Sequence, residues 1–391
     1  AAPSPRAAAL ASRPARARIR LAYVSADFYD HAMAVLMAGV FEHHDRDRFE
    51  VTALSLGAGR EGAMRTRLLR SFERFVDAGG KSDRQVAGLM ADAQIDIAVD
   101  LMGYTQNARS AIFAQRPAPV QVNYLGYPGT LGADFIDYVI ADAFVVPHGA
   151  EAHYAEKVVR LPDCFQANDA KREVSDATPA RSALGLPEDA FVFCCFNSDY
   201  KLNPALFDVW MRVLRRSPGS VLWLLGESDT AIANLRREAQ QRGVEATRLV
   251  FAGRTRAPEY LARYRVADLF LDTLPFNGGA TASDALWAGL PLLSCAGEAF
   301  AARMSGSLLH ALGLPELVTR SLDDYEALAV SLAAERTRMQ ELKDRLARNR
   351  LRAPLFDTAR FTRTLEAAYE AMWAIRQSGE PPRHIALRAQ P

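Results

Sequence analysis

A stretch at residues 271–291, LDTLPFNGGATASDALWAGLP, constrains the fold of this chain more than any other part of the sequence. A short apolar run ends at Leu271 and indicates a buried strand, and a glycine pair follows at Gly278 and Gly279. Polar residues then open an apolar helix, which Gly289 ends before a second apolar run. This order predicts a strand, a glycine loop, a helix and a further strand, which is the repeating unit of an open α/β sheet.

The glycine loop is a candidate ligand site, because open α/β sheets bind ligands beyond the carboxyl ends of their strands. Glycines let the backbone approach a ligand closely, and a helix N-terminus presents N–H groups that carry partial positive charge. A diphosphate would suit such a loop. An ordinary turn, in which Thr281 or Ser283 caps the helix, explains the segment equally well. This segment alone therefore leaves both interpretations open.

The composition is that of a globular protein of about two domains, because 391 residues, of which 49% are hydrophobic, can form two sizeable cores. The formal net charge of +1 gives no sign of a nucleic-acid-binding surface. No apolar stretch is long enough to span a bilayer, and the four cysteines lack metal-ligand spacing. We therefore predict a cytoplasmic protein with no metal site, no nucleic-acid partner and no membrane association.

Strands alternate with helices through most of the chain, which predicts an α/β fold of two doubly wound, Rossmann-like domains facing a cleft. We place the N-terminal domain at residues 19–165 and the C-terminal domain at residues 180–350. Residues 1–18 are rich in Ala, Arg and Pro without a period, and they indicate a linker or tail that continues a missing upstream region. An amphipathic helix within residues 355–378 is expected to pack across both domains.

Three further predictions concern the edges of these domains. A helix is predicted at residues 64–75, and an irregular linker between the domains at residues 161–178. The helical pattern at residues 322–348 leaves open whether one helix or two are present.

Polar residues follow several predicted strands of the N-terminal domain. His31 comes after the first strand and before a helix, so it could donate to a ligand or transfer a proton near neutral pH. A capping or core histidine is the simpler alternative. Thr105 follows another strand, together with Asn107 and Arg109, and the loop at residues 126–130 reads GYPGT. That loop suits sugar hydroxyls or an acceptor backbone, although a structural turn also explains it.

The C-terminal domain offers one lysine and an aromatic residue with two charged neighbours. Lys201 follows a buried strand and could neutralise a diphosphate leaving group, and its presence in the same domain as the glycine loop favours this over an exposed lysine. Tyr260, near Arg263, could stack on a base, and Asp284 could bind ribose hydroxyls. Core packing, a solvated surface and a first-turn helix charge are the alternatives. Neither a GxGxxG fingerprint nor a Walker pattern is present, so nothing indicates NAD binding or ATP hydrolysis.

Seven segments resemble the catalytic region of the protein O-GlcNAc transferase family, which includes the SPINDLY-type proteins. They are YVSADFYDH, DLMGYTQNAR, RPAPVQVNYLGYPGT, CCFNSDYKLNP, SVLWLL, RYRVADLFLDTLPFNGGATASDALWAG and GEAFAAR, and the resemblance covers nearly all of residues 19–373. It implies a two-domain GT-B fold and the transfer of GlcNAc from UDP-GlcNAc to Ser or Thr of proteins, with inversion and without a metal or other cofactor. It also implies upstream tetratricopeptide repeats, through which homo-oligomers could form.

By position, the resemblance implies that His31 is the active-site histidine and that Lys201 binds the diphosphate and assists the departure of UDP. Tyr260 takes the place of a base-stacking histidine, Arg263 lies beside the uracil, and Asp284 binds the ribose. The residues predicted to bind substrate or nucleotide are Thr105, Gly126, Tyr127, Pro128, Ser198, Tyr200, Tyr260, Arg263, Phe276, Asn277, Gly278, Gly279, Ala280, Thr281 and Asp284.

The glycine loop, residues 277–281, departs from the well-known family form Asn-Gly-His-Thr-Thr, because here it reads NGGAT. One hydroxyl and one imidazole are missing, and Thr281 matches one of two phosphate-binding threonines. Ser198 replaces a longer amide. Phe276 stands where the vertebrate enzymes have a small residue that lines the acetamido pocket, so the identity of the sugar stays open.

Three functions remain open from the sequence. The resemblance favours O-GlcNAc transfer, with UDP-GlcNAc as donor and a polypeptide as acceptor. The second is O-fucosyl transfer from GDP-fucose, as in SPINDLY, or sugar transfer to a non-protein acceptor. The third is a scaffold that binds a UDP-sugar with little activity.

Overall fold

The computed structural model describes residues 17–226 and 228–388 and divides the chain into two compact units. Unit 1 contains the chain up to Ala170 and again from Asp357 onward, and unit 2 is Lys171–Phe356. The boundary after Ala170 falls inside the segment predicted as a linker. The predicted tail at residues 1–18 lies outside the described residues, except for its last two.

Within the described residues, unit 1 is built on an eight-stranded sheet in which all strand pairs are parallel. Its strands are β1 (Ile19–Ser25), β2 (Phe49–Ser55), β3 (Arg74–Asp77), β4 (Ile97–Asp100), β5 (Val120–Asn123), β6 (Tyr138–Asp142), β7 (Lys157–Leu161) and, numbered last along the chain, β14 (Ile385–Ala386). Their order across the sheet is β14-β7-β6-β5-β4-β1-β2-β3.

Helices cover both faces of this sheet, so its central strands β1, β4 and β5 are almost completely buried. Along β1, Leu21 and Tyr23 enter one buried cluster while Ala22 and Val24 enter another, as alternate side chains of a doubly covered strand should. The α-helices of unit 1 in the described ranges are α1 (Ala32–His43), α2 (Ala63–Ser71), α3 (Asp83–Asp92), α4 (Ala111–Ala114) and, last along the chain, α12 (Thr358–Gln377).

Unit 2 has a six-stranded parallel sheet in the described residues, with the order β10-β9-β8-β11-β12-β13. Its strands are β8 (Val192–Cys195), β9 (Val221–Leu225), β10 (Leu249–Ala252), β11 (Leu269–Leu271), β12 (Leu292–Cys295) and β13 (Val318–Thr319). Its α-helices are α5 (Pro204–Arg216), α6 (Asp229–Gln241), α7 (Ala257–Arg263), α8 (Ala280–Ala288), α9 (Met304–Ala311), α10 (Leu322–Ala334) and α11 (Arg336–Arg350).

Both sheets are doubly wound. In each, the chain starts at an interior strand, adds two strands on one side and then crosses to build the other side. The crossing point lies between β1 and β4 in unit 1 and between β8 and β11 in unit 2, and such points are where doubly wound sheets bind ligands. The predicted fold class, α/β with two doubly wound Rossmann-like domains, is confirmed. That the two domains face one cleft stays a prediction.

Two predictions at the element level need correction. The helix predicted at residues 64–75 ends at Ser71, and Arg74–Asp77 forms the edge strand β3. Only half of this strand is apolar, because an edge strand is partly solvated, so its sequence lacks the run that marks a buried strand. The prediction also missed β7, whose buried Arg160 donates to the carbonyl of Val146.

Two other elements bear on the domain boundaries. The helical pattern at residues 322–348 is two helices, α10 and α11, which meet at Glu335. The last helix, α12, belongs to unit 1, where it packs against α1 and where the hydroxyl of Tyr369 lies 3.2 Å from that of Tyr23. That α12 also packs against unit 2 stays a prediction. None of the helices in the described ranges is both long and apolar enough to cross a membrane.

Candidate functional site

The crossing point of the unit 2 sheet brings together the lysine and the glycine loop. Lys201 follows β8 in a short turn, Asp199–Lys201, and the glycine loop follows β11. The lysine Nζ donates to the main-chain carbonyl of Asn277 at 2.8 Å, and it lies 3.9 Å from the centroid of the Phe276 ring. Burial lowers the pKa of Lys201, and the charge of nearby Asp272 opposes this effect. The structure therefore places an ammonium group directly against the loop.

A buried carboxylate that the sequence analysis did not single out holds the loop in place. Asp272 follows β11 directly and is 1% exposed. Its Oδ1 accepts the N–H of Gly278 at 2.7 Å and the Asn197 amide at 3.2 Å, and its Oδ2 accepts the Ser294 hydroxyl at 2.8 Å. Burial raises the pKa of Asp272, and the Gly278 and Ser294 bonds oppose that shift. An aspartate immediately after an apolar strand was the sequence signal available for it.

The loop is also tied to the end of β8. The hydroxyl of Thr281 donates to Asn197 Oδ1, and the amide of Asn197 donates to Asp272. A Cβ added at Gly278 would lie 3.0 Å from both Asn197 Oδ1 and Thr281 Oγ1, so a side chain there would push these neighbours aside by a few tenths of an ångström. Asn277 is completely buried, and its side-chain amide donates to the Thr273 carbonyl at 2.7 Å. The loop is therefore preorganised by contacts within unit 2.

Helix α8 starts at Ala280, and Gly279 is its N-cap. The alternative in which Thr281 or Ser283 caps the helix is not what the structure shows, because the capping position has no side-chain hydrogen bond. A glycine cap supplies no side-chain acceptor to the first turn, where N–H groups have no partner within the helix. An anion at the loop would therefore meet these N–H groups and the positive end of the helix dipole.

Asp284 lies in α8 and is already paired. Its Oδ1 accepts Arg172 Nη1 at 2.7 Å, while Arg172 Nη2 donates to the Ser283 hydroxyl at 3.1 Å. Burial raises the pKa of Asp284 to about 6, against the opposing charge of Arg172. The sequence analysis missed Arg172, since it precedes Asp284 by 112 positions and no local pattern links the two.

Tyr260 and Arg263 both have contacts within unit 2. The hydroxyl of Tyr260 lies 2.8 Å from that of Tyr264, and its ring centroid lies 5.8 Å from that of Phe196. These contacts agree with the alternative in which Tyr260 packs in the core. Burial raises the pKa of Tyr260, and the charge of Asp284 raises it further. Arg263 donates to the carbonyl of Gly253 at 2.6 Å.

Two polar residues precede Lys201 in the same turn. The carbonyl of Ser198 accepts the N–H of Lys201 at 3.1 Å, so the backbone of Ser198 shapes this turn. Tyr200 is 72% exposed, and its ring centroid lies 6.4 Å from that of Phe276. The two aromatic rings therefore stand next to each other beside the loop.

In unit 1, His31 lies beyond β1 at the crossing point and is the N-cap of α1. Its Nδ1 accepts the N–H of Met33 at 3.3 Å and lies 3.6 Å from Asp27 Oδ2. Burial raises the pKa of Asp27, and His31 opposes that effect. Nδ1 of His31 therefore caps the helix, as the simpler alternative expected. The side chain is 42% exposed, so a ligand could still contact Nε2.

The other predicted residues of unit 1 make structural contacts. The hydroxyl of Thr105 donates to the carbonyl of Met102 at 2.9 Å, and Arg109 Nε donates to Asp83 at 2.7 Å. Asn107 has a φ of 66°, in the left-handed region that favours glycine and asparagine.

The GYPGT loop is a tight turn packed on the residues that follow β4. A Cβ at Gly126 would lie 2.1 Å from the carbonyl oxygen of Leu101, which explains the glycine. The carbonyl of Tyr127 accepts the N–H of Gly129 at 3.0 Å, across Pro128. These contacts support the structural-turn alternative, and sugar binding by Gly126, Tyr127 and Pro128 stays a prediction.

Within the two described ranges, no group of three or more His, Cys, Asp or Glu side chains could hold a metal ion. The expectation of metal-independent chemistry stays a prediction.

Two parallel Rossmann-like sheets, with the lysine and glycine loop at the crossing point of the second, define the class of GT-B glycosyltransferases. The sequence profile described as Glycosyl transferase family 41 matches residues 7–178 and 174–365. The chain belongs to this family, and the resemblance to O-GlcNAc transferases and SPINDLY-type proteins is confirmed.

Three similar proteins illustrate this membership. The probable UDP-N-acetylglucosamine–peptide N-acetylglucosaminyltransferase SEC of Arabidopsis thaliana is 40% identical over 95% of this chain and 38% of its own length. The UDP-N-acetylglucosamine–peptide N-acetylglucosaminyltransferase of Caenorhabditis elegans is 28% identical over 94% of this chain and 42% of its own. An O-GlcNAc transferase of Thermobaculum terrenum has a TM-score of 0.86 at 32% identity, over 93% of this chain and 69% of that one. The chain thus spans about two fifths of the length of these two curated relatives.

Proposed function

We propose that this chain transfers GlcNAc from UDP-GlcNAc to Ser or Thr hydroxyls of proteins, with inversion at the anomeric carbon and without a metal. The observation that carries the proposal is the contact between Lys201 and the glycine loop at a crossing point, at 2.8 Å from the Asn277 carbonyl. The names of the Arabidopsis thaliana and Caenorhabditis elegans relatives, which state a UDP-N-acetylglucosamine donor and a peptide acceptor, support both substrates.

In this proposal the diphosphate binds at residues 278–281. The positive end of α8 and the ammonium of Lys201 neutralise the charge that develops on departing UDP, which is the main catalytic effect. The uracil lies by Tyr260 and Arg263. Asp284 binds the ribose while it stays paired with Arg172, so the ligand meets a carboxylate whose charge is already balanced.

The acceptor hydroxyl attacks the anomeric carbon on the face opposite the diphosphate. A bond forms from the acceptor oxygen to that carbon, the bond from the carbon to the UDP oxygen breaks, and its electron pair leaves with UDP. The hydroxyl proton passes to solvent water. His31 Nδ1 accepts the N–H of Met33, so the hydrogen of the neutral ring is on Nε2. In this proposal His31 therefore acts as a hydrogen-bond donor that orients the sugar or the acceptor.

O-fucosyl transfer from GDP-fucose is the second candidate function. The observation that favours it is the Phe276 ring, which stands beside the glycine loop where the resemblance implies an acetamido pocket. A large ring there would leave less room for the N-acetyl group of GlcNAc.

A panel of nucleotides and nucleotide-sugars tests these functions, because a ligand that binds only the folded state raises its melting temperature. UDP and UDP-GlcNAc are expected to raise the melting temperature, whereas GDP, UDP-glucose and GDP-fucose are expected to do so less. A shift with GDP and GDP-fucose alone would favour the fucosyl function. No shift with any of the five would contradict the enzyme proposal and favour a scaffold.

A further inference from the structure

The ring of Phe276 lies against the ammonium of Lys201. Nζ is 3.9 Å from the ring centroid, well within the distance at which an aromatic face attracts a cation. The same Nζ donates to the carbonyl of Asn277, the next residue of the loop. Two consecutive residues therefore hold the ammonium, Phe276 through its ring and Asn277, the first residue of the glycine loop, through its backbone.

Lys201 is mostly buried, so the contact between its ammonium and the Phe276 ring matters for the stability of the charge. Burial disfavours the charged lysine, and the titratable groups that face it are Asp272 and Cys195. Asp272 is engaged by Gly278, Asn197 and Ser294, and within the described part of the chain Lys201 forms no ion pair. The ring is thus a principal contact of the ammonium.

An aromatic face also suits a diphosphate site better than a carboxylate would. A carboxylate next to the lysine would repel the two phosphates and would take up N–H donors of the ammonium. A ring stabilises the cation through its quadrupole without a net negative charge. One of the three N–H donors of Lys201 binds Asn277, and the ring, unlike a carboxylate, brings no acceptor oxygen that would compete with ligand oxygens for the others.

We propose that Phe276 is a positioning residue for Lys201, whose ring holds the protonated ammonium at the glycine loop and directs it to the diphosphate. This inference rests on the proposed function, since it takes Lys201 as the diphosphate-binding group. It differs from a contact of Phe276 with the sugar, because it predicts an effect on the binding of UDP, which carries no sugar.

The experiment measures the affinity for UDP by calorimetry between about pH 6.5 and pH 10.5 in the wild type, Phe276→Leu and Phe276→Tyr. Loss of the ring is expected to weaken UDP binding about 5-fold at neutral pH, as the loss of a cation–π contact does. It is also expected to move the alkaline loss of affinity about half a pH unit lower, since the ring stabilises protonated Lys201. Phe276→Tyr keeps the aromatic face, so it is expected to keep both the affinity for UDP at neutral pH and the pH at which that affinity is lost. Ionisation of the uracil is common to all the proteins and cancels in the comparison.

Phe251→Leu is the matched control, because Arg236 lies 5.2 Å from the Phe251 ring in a similar pair elsewhere in unit 2. It is expected to bind UDP as the wild type does. If Phe276→Leu lowers the melting temperature of the free protein strongly, Phe276→Met takes its place.

The inference would be overturned if Phe276→Leu bound UDP as tightly as the wild type and lost that affinity at the same alkaline pH. It would also be overturned if both substitutions weakened UDP binding equally and left the pH of the alkaline loss unchanged. Packing alone would then explain the weaker binding. A wild-type protein that does not bind UDP at any pH would instead overturn the proposed function, and this inference with it.

Discussion

At the scale of single residues, the candidate site combines one cation with several buried polar groups. Lys201 contacts the loop directly, whereas Asp272 acts through Gly278 and Asn197. Asp284 depends on Arg172 for its charge balance. Each of these side chains is therefore expected to affect ligand binding in a different and measurable way.

Lys201→Ala is expected to lower the transfer rate about 100-fold or more, because it removes the charge proposed to stabilise the leaving UDP. Transfer from UDP-GlcNAc to a peptide measures this effect. Lys343→Ala is the control, since Lys343 pairs with Asp268 at 3.1 Å in the same unit. Full transfer activity in Lys201→Ala would contradict the assignment.

The affinity for UDP is expected to fall as the pH drops through about 6, the value to which burial raises the pKa of Asp284. Protonation below that pH removes the ribose acceptor and the pair with Arg172, so the contribution is present above pH 6 and lost below it. Calorimetry with UDP measures the profile in the wild type and in Asp284→Asn. The phosphate of UDP titrates in the same range in both proteins, so an acid loss of equal size in both would rule out Asp284 as its source.

At the scale of elements, the loop between β11 and α8 matters most, because its backbone both anchors Lys201 and begins the helix. Gly278 permits this arrangement, and any side chain there would meet Asn197 and Thr281. Binding should therefore be sensitive to the smallest added group.

Gly278→Ala is expected to weaken UDP binding on the order of 10-fold, because the added methyl displaces the loop from Asn197 and Thr281. Gly88→Ala in α3 is the control, since a Cβ there meets nothing within 4 Å and alanine favours a helix. Thermal shift and calorimetry with UDP measure both variants. An unchanged affinity in Gly278→Ala would show that the loop adapts.

The sequence predicted the elements whose side chains are buried on both faces, because only those carry long apolar runs. It failed where solvent or a buried charge breaks the run, as in β3 and in β7 with Arg160. Lys201 and the glycine loop could be found because each follows such a run directly. Arg172 could not, since its partner lies far along the chain and only the folded unit brings them together.

At the scale of the whole molecule, unit 1 is built from both ends of the described chain. Helix α12 enters its core through Phe361, Leu365 and Tyr369. The carboxylate of Glu366 lies 2.9 Å from the buried His44 ring and accepts the N–H of Asp45 at 2.7 Å. Burial lowers the pKa of His44, and its contact with Glu366 opposes that shift. A carboxylate accepts hydrogen bonds, so the Nδ1–H of the ring is the donor in this pair.

Glu366→Ala is expected to reduce the free energy of unfolding by about 3 kcal/mol, because it leaves the buried His44 ring and the part-buried N–H of Asp45 without an acceptor. Chemical denaturation measures the change. Glu370→Ala, one turn along α12, is the control, since Glu370 is 41% exposed where it pairs with Arg48. Glu370→Ala should lower the free energy of unfolding by less than about 1 kcal/mol, because an exposed ion pair contributes little. Equal effects of the two substitutions would contradict a structural role for the buried carboxylate.

The return of the chain to unit 1 after Phe356 has a consequence for biosynthesis. Ribosomes release Lys171–Phe356 before α12, so the domain with the glycine loop can complete its core while the earlier one still lacks a helix. A nascent chain halted near residue 356 would thus expose the apolar surface that α12 later covers, and chaperones would recognise it there.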